Sequence, residues 1–157
     1  MKLLLIHALG IIIIQITFTQ TRPRPLVGNL KNSAVAEGCG CYFQFRSTPD
    51  SAERYILFSS IENDGNETAW MNIDGRDVKL KLQKKSGPFW IQQRERPGKR
   101  STVKYVVENI TVNGTYITTK VCPRNDESCE STEYNVTLVV KKGARSQVVK
   151  AKGSCGC

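Results

Sequence analysis

Six cysteines give this chain its widest chemical range: Cys39, Cys41, Cys122, Cys129, Cys155 and Cys157. Four of them form two Cys-Gly-Cys units, in "EGCGC" (37–41) and "GSCGC" (153–157). Three chemistries compete for such units. Four thiolates can hold zinc tetrahedrally, but structural zinc sites usually space their cysteines more widely than Cys-x-Cys. A vicinal redox couple would close a strained ring and give an oxidising disulfide. The sequence offers that couple neither a thioredoxin-like βαβ pattern nor a helix N-terminus to lower a thiol pKa. Structural disulfides are therefore the preferred reading, with no metal and no cofactor expected. Cys122 and Cys129 flank "PRNDES" and are placed to staple a hairpin loop as one bonded pair.

Other chemistry is sparse. The lone histidine, His7, lies in an apolar leader and would be lost on its removal. That excludes Ser-His-Asp, Cys-His and His-based metal schemes for the mature chain. Asp74 and Asp77 sit at a turn, where carboxylates more often hydrogen-bond the backbone than transfer protons. Their segment "NIDGRD" lacks the regular spacing and final Glu of a calcium loop. No glycine loop for phosphate is present. The expectation is a protein that is not an enzyme.

The leader comes from Met1-Lys2 followed by the apolar run Leu3–Phe18. One positive charge before a run of that length fits a secretory signal peptide (1–19) better than a membrane span, with a retained signal anchor as the alternative. After cleavage no transmembrane segment is expected. Residues 20–36 mix Pro, Gly, Asn and Ser without periodicity and read as a flexible linker. Residues 37–157 then form a single β-domain. An even cysteine count in an exported chain agrees with an oxidising compartment, so the protein is expected to be secreted or periplasmic. Asn66, Asn109, Asn113 and Asn135 head N-x-T sequons, which would carry glycans in a eukaryotic secretory pathway.

The elements that must position these residues show period two. In "RDVKLKLQ", Val78, Leu80 and Leu82 alternate with Asp77, Lys79 and Lys81. "STVKYVVEN" and "TEYNVTLVVKK" alternate in the same way, and no window supports a long amphipathic helix. Turn signals fall at 63–66 (NDGN), 74–75 (DG), 96–99 (RPGK), 113–114 (NG) and 141–144 (KKGA). About eight strands follow, near 40–46, 54–61, 67–73, 76–83, 102–110, 112–122, 131–141 and 145–152. The fold class is all-β and antiparallel, an up-and-down barrel or a meandering sandwich, stabilised by disulfides. In a closed barrel with an even number of strands, the first and last are antiparallel neighbours. That sets Cys39 against Cys157 and Cys41 against Cys155, with facing Cα atoms about 4.5 Å apart.

Charge is concentrated. The formal charge is +9, and the segment from Arg76 to Lys104 holds ten basic residues against two acids, Asp77 and Glu95, or +8. Such a face attracts polyanions; export makes nucleic acid a poor match. The longest interruption of the strand pattern is "QKKSGPFWIQQRERPGKRS", 83–101, in which Phe89 and Trp90 sit among Arg94, Arg96, Lys99 and Arg100. An aromatic tip in a cationic collar suits a cleft or an anionic surface. Trp70 alternates with Ala69 and Met71 and is expected to face outward. The candidate binding residues are thus Ser86, Phe89, Trp90, Arg94, Arg96, Lys99, Arg100 and Trp70. The expected partner is an anionic glycan, a lipid or an acidic protein surface.

The run "ETAWMNIDGRDVKLKLQKKSGPFW" resembles the central segment of the periplasmic and membrane-bound inhibitors of c-type lysozyme. That resemblance implies a small exported eight-stranded barrel. It also implies a Ser-Gly-x-x-aromatic loop, here Ser86 to Trp90, inserted into a secreted hydrolase, with Trp90 standing where the family has tyrosine. The C-terminal "KAKGSCGC" resembles the ends of exported bacterial β-domain proteins and implies no activity. A structural envelope protein without a ligand is the third reading.

Overall fold

The computed structural model describes residues 25–61, 67–87, 96–123 and 129–156. Nine strands occur among them: β1 (Val27–Gly28), β2 (Gly40–Phe45), β3 (Tyr55–Ile61), β4 (Glu67–Ile73), β5 (Arg76–Ser86), β6 (Arg100–Val107), β7 (Ile110–Lys120), β8 (Ser131–Lys142) and β9 (Arg145–Gly156). Each strand from β2 to β9 pairs antiparallel with the next, and β9 pairs back onto β2. The result is a closed eight-stranded up-and-down barrel, with β1 added at the end of β4. Of the two architectures the alternation allowed, the barrel is the one adopted. Closure leaves none of these eight strands with a free edge.

Alternation along the strands fills the interior. Cys41, Phe43, Leu57, Met71, Leu80, Tyr105, Val112, Tyr116, Leu138 and Val140 are all buried within it. An eight-stranded barrel has an interior just wide enough for such side chains. Phe43, Tyr116 and Tyr134 meet edge-on, with ring centroids 5.4–6.4 Å apart. Two glycines make room for them, Gly114 on the strand of Tyr116 itself and Gly153 on the strand facing Phe43. A Cβ at Gly114 would collide with the hydroxyl-bearing edge of the Tyr116 ring, and one at Gly153 would strike Phe43 and the Tyr42 carbonyl.

Gly114 also corrects the sequence reading. Asn113-Gly114 was expected as a hairpin turn, yet both residues lie inside β7, opposite Lys104 and Val103. Gly114 does not have the positive φ that a tight turn would use. Its role is the space it leaves for Tyr116. The hairpin turns instead at Glu108–Asn109, where Glu108 takes φ 46°. At Asp74-Gly75 the expectation holds, with φ 54° and 77° in a two-residue turn.

The closing register sets Gly40 against Gly156, and Cys41 is bonded to Cys155 with Cα atoms 3.9 Å apart. Cys122 is bonded to Cys129, Cα to Cα 5.3 Å. Cys39 is disulfide-bonded as well; its expected partner, Cys157, lies outside the described residues. So do the leader 1–19 and the first residues of the expected linker.

The described part of 20–36 is not a free spacer. Leu26 and Val27 are each 3% exposed and join the core, and their N–H groups donate to Gln147 Oε1 at 2.7 and 3.0 Å. Leu26 accepts from the Asp74 N–H, and the Lys31 and Asn32 N–H groups donate to Asp77 Oδ2 at 2.9 and 2.8 Å. This segment is held by two apolar side chains and single-chain hydrogen bonds, an arrangement that leaves no periodic trace. It covers the end of the barrel that carries the two-residue turns. The opposite end is where β3, β5 and β7 finish and β4, β6 and β8 begin, and it carries Cys39, Gly40, Cys41, Cys155 and Gly156.

Candidate binding surfaces

The basic segment folds into one outer wall. Along β5, residues 77, 79 and 81 point outward while Val78 and Leu80 point in. A β-bulge between Leu82 and Lys84 then resets the alternation. Leu82 faces Tyr105, Lys84 faces Lys104, and Lys85 faces Val103. Strict period two would have sent Lys84 inward and Lys85 outward. The bulge reverses both. Lys79, Lys81, Lys84 and Lys104 therefore share the outer face of β5 and β6, with Arg100 at its loop end. Lys81, Lys84 and Lys104 have no carboxylate partner among the described residues.

The two acids nearest this wall are turned to other tasks. Asp77 accepts from the Lys31 and Asn32 backbone and from Asn72 Nδ2 (2.7 Å). Glu67 points into the barrel, where it accepts from Tyr105 Oη (2.8 Å) and Lys85 Nζ (3.0 Å). Its side chain is 6% exposed and that of Lys85 is 26%. Burial pushes the Tyr105 phenol well above its usual pKa, and neighbouring Tyr116 and Glu67 reinforce the shift. Tyr105 therefore stays neutral and donates. The bulge thus serves two purposes: it supplies the cation that neutralises Glu67 and aligns Lys84 with Lys104.

The loop that was read as 83–101 is shorter in the structure. β5 runs to Ser86 and β6 begins at Arg100, leaving 87–99 as the connection. Ser86, Arg96, Lys99 and Arg100 are exposed at the loop end of the barrel. Arg96–Lys99 forms a turn, and β7 anchors it through Gly98 N–H to Thr118 O (2.8 Å) and Thr118 N–H to Lys99 O (3.0 Å). Phe89, Trp90 and Arg94 lie outside the described residues. Trp70 faces outward, as its place in the alternation implied. It is half-buried rather than fully exposed, between Phe58 and Lys79 in register on the adjacent strands. The structure therefore joins Arg96, Lys99 and Arg100 to the end of the lysine wall and puts Trp70 on its far border.

Sequence reasoning did not single out Lys84 facing Lys104, or the Glu67–Lys85–Tyr105 cluster. Glu67 was findable, since it shares the inward phase of Ala69, Met71 and Ile73. The lysine pairing depends on the bulge and has no local signal. Asp74, the other turn carboxylate, is paired with Lys142 (2.8 Å) and Arg145 (2.7 Å). Their hydrogen bonds hold its carboxyl below the usual carboxylate range. Among the sequon residues, Asn109 and Asn113 are exposed, Asn135 is half-buried on the outer face, and Asn66 lies outside the described residues.

No protein-family model, curated protein or solved structure matches the chain. Among the described residues, no helix is long and apolar enough to cross a membrane.

Proposed function

We propose that this chain is an exported, non-catalytic β-barrel binding protein, secreted or periplasmic, whose β5–β6 wall and adjoining 87–99 loop contact an anionic partner. The partner class is an anionic glycan, an anionic lipid headgroup or an acidic protein surface. One observation carries the reading. Lys84 and Lys104 face each other directly across two strands, in a wall whose nearby acids, Asp77 and Glu67, are engaged by other partners. Like charges directly opposite are destabilising, and the wall gains most from a partner that supplies negative charge. Disulfides within the barrel support an oxidising compartment.

The test is retention on immobilised heparin and on anionic lipid vesicles across a salt series. Changing Lys84 and Lys104 to Gln together should weaken binding about tenfold or more, at roughly 1 kcal/mol per cation near an anionic surface. Neutralising Arg96, Lys99 and Arg100 should weaken it further, and Trp90→Ala should leave it largely intact. Binding indifferent to salt and to these charges would overturn the proposal.

A second reading, inhibition of a lysozyme or another secreted hydrolase through Ser86 and Trp90, is favoured by the exposed position of Ser86 at the loop end of an eight-stranded barrel. A basic wall disfavours approach to a basic enzyme such as lysozyme, which places this reading second. It requires submicromolar inhibition that is lost with Trp90→Ala. No inhibition across a panel of secreted hydrolases would remove it.

A further inference from the structure

On the far side of the barrel from the lysine wall lies a groove of about 580 Å³ over β2, β9 and β8. In the ring of strands, β9 and β2 are each four places from β5 and β6 respectively. Loop 46–54 forms one rim. Arg46 N–H extends the β2–β9 ladder by donating to Lys150 O (3.0 Å), and the loop then reaches back to the sheet through Asp50, paired to Lys152 Nζ (2.6 Å). The volume lies within the range of small-ligand sites.

The lining combines a fixed aromatic edge with uncharged polar groups. The Tyr42 ring packs between Phe58 (4.8 Å between centroids) and Tyr55 (5.2 Å), and its hydroxyl donates to the Gly38 carbonyl. A ring held by two neighbours on β3 and by its hydroxyl loses little freedom on binding a ligand. Gln44, Asn135 and Ser154 project from the three strands beside it and offer amide and hydroxyl groups. The charges in the groove are largely cancelled. Asp50 is paired with Lys152, and Glu133 with Lys120 (3.3 Å). Only Glu53 among the lining carboxylates has no ion pair among the described residues.

We propose that this groove is a second binding site, independent of the lysine wall, and that it takes a neutral oligosaccharide segment. Cancelled charge gives little attraction to a strongly charged ligand of either sign. A sugar ring presents C–H faces that pack on tyrosine, and hydroxyls that pair with amides and carboxylates on the same wall. Such a ligand satisfies both parts of the lining at once, where an apolar ligand would strand the amides.

The experiment is an amide NMR titration of the full, disulfide-bonded protein with cellotetraose and with triacetylchitotriose. One probe or both should give saturable shifts at Gln44, Asn135, Ser154 and Glu53–Tyr55, unchanged between low and high salt. Tyr42→Ala should weaken binding about tenfold or more, the size of a lost aromatic contact. Gln44→Ala and Asn135→Ala, on the outer face and outside the core, should each weaken it several-fold and serve as readouts if Tyr42→Ala unfolds. Changing Lys84 and Lys104 to Gln should leave sugar binding unchanged, which separates this site from the anionic one. Three results overturn the proposal: no shifts from either probe at millimolar concentration, shifts that map elsewhere, or tighter filling of the groove by a lysine oligopeptide or a heparin fragment.

Discussion

Removing Cys41 and Cys155 together tests how the barrel is clasped. Their bond spans 114 residues of sequence, and closing a loop of that size stabilises by about 4–5 kcal/mol in the chain-entropy model. The full amount is not expected from this pair alone. Cys39, two residues outside Cys41, is also disulfide-bonded. If that bond runs to Cys157, the long loop stays closed when the inner bond is lost. Changing Cys41 and Cys155 to Ala should then cost only the packing of two buried sulfurs, about 1–3 kcal/mol. Adding Cys39→Ala opens the loop and should cost a further 4–5 kcal/mol or so, a large share of the roughly 5–15 kcal/mol typical of a domain. The assay is urea unfolding of both variants, with intact mass confirming the remaining bonds. Equal midpoints for the two variants would refute the double clasp, because they would show that Cys39 does not close the same loop.

Three further predictions follow from particular contacts. Asp74 titrates below the ordinary carboxylate range, so its ion pairs add stability above the unfolded carboxylate pKa that is lost as pH falls through the folded one. Asp74→Asn keeps the turn, since Asn tolerates positive φ, and the stability gap to wild type should close on acidification; a gap constant with pH would refute this. Gly114→Ala drives a methyl group into the Tyr116 ring and should cost about 1–3 kcal/mol by chemical denaturation, whereas a neutral result would mean that Gly114 serves the turn after all. Leu26→Ala should cost about 2–4 kcal/mol, because the side chain is buried in the core; a change within 0.5 kcal/mol or so would return this segment to the role of a spacer.

Much of the fold was legible locally. Val78, Leu80 and Leu82 announced β5, and Asp74-Gly75 announced its turn, because side-chain alternation and positive φ are properties of neighbouring residues. The two Cys-Gly-Cys units, placed on the first and last strands of an even count, even gave the register of Cys41 with Cys155. Where the reading failed, the deciding contact was one that composition does not announce. Asn113-Gly114 has the composition of a turn, but the Tyr116 ring against β7 gives its glycine a different purpose. Pro25–Ala36 has the composition of a spacer, yet Leu26 and Val27 are held by Gln147, some 120 residues later.

The sequence by itself determined an all-β, disulfide-bonded chain with its positive charge gathered in one stretch, since composition, period and cysteine count are local quantities. The tertiary structure decided which of those charges act together. One extra residue in β5 flips Lys84 outward to face Lys104 and Lys85 inward to Glu67. Ring closure then carries the tyrosine groove to the opposite wall from those lysines. A bulge and a ring closure are choices of pairing between strands, and pairing is settled by contacts that no single stretch of sequence contains.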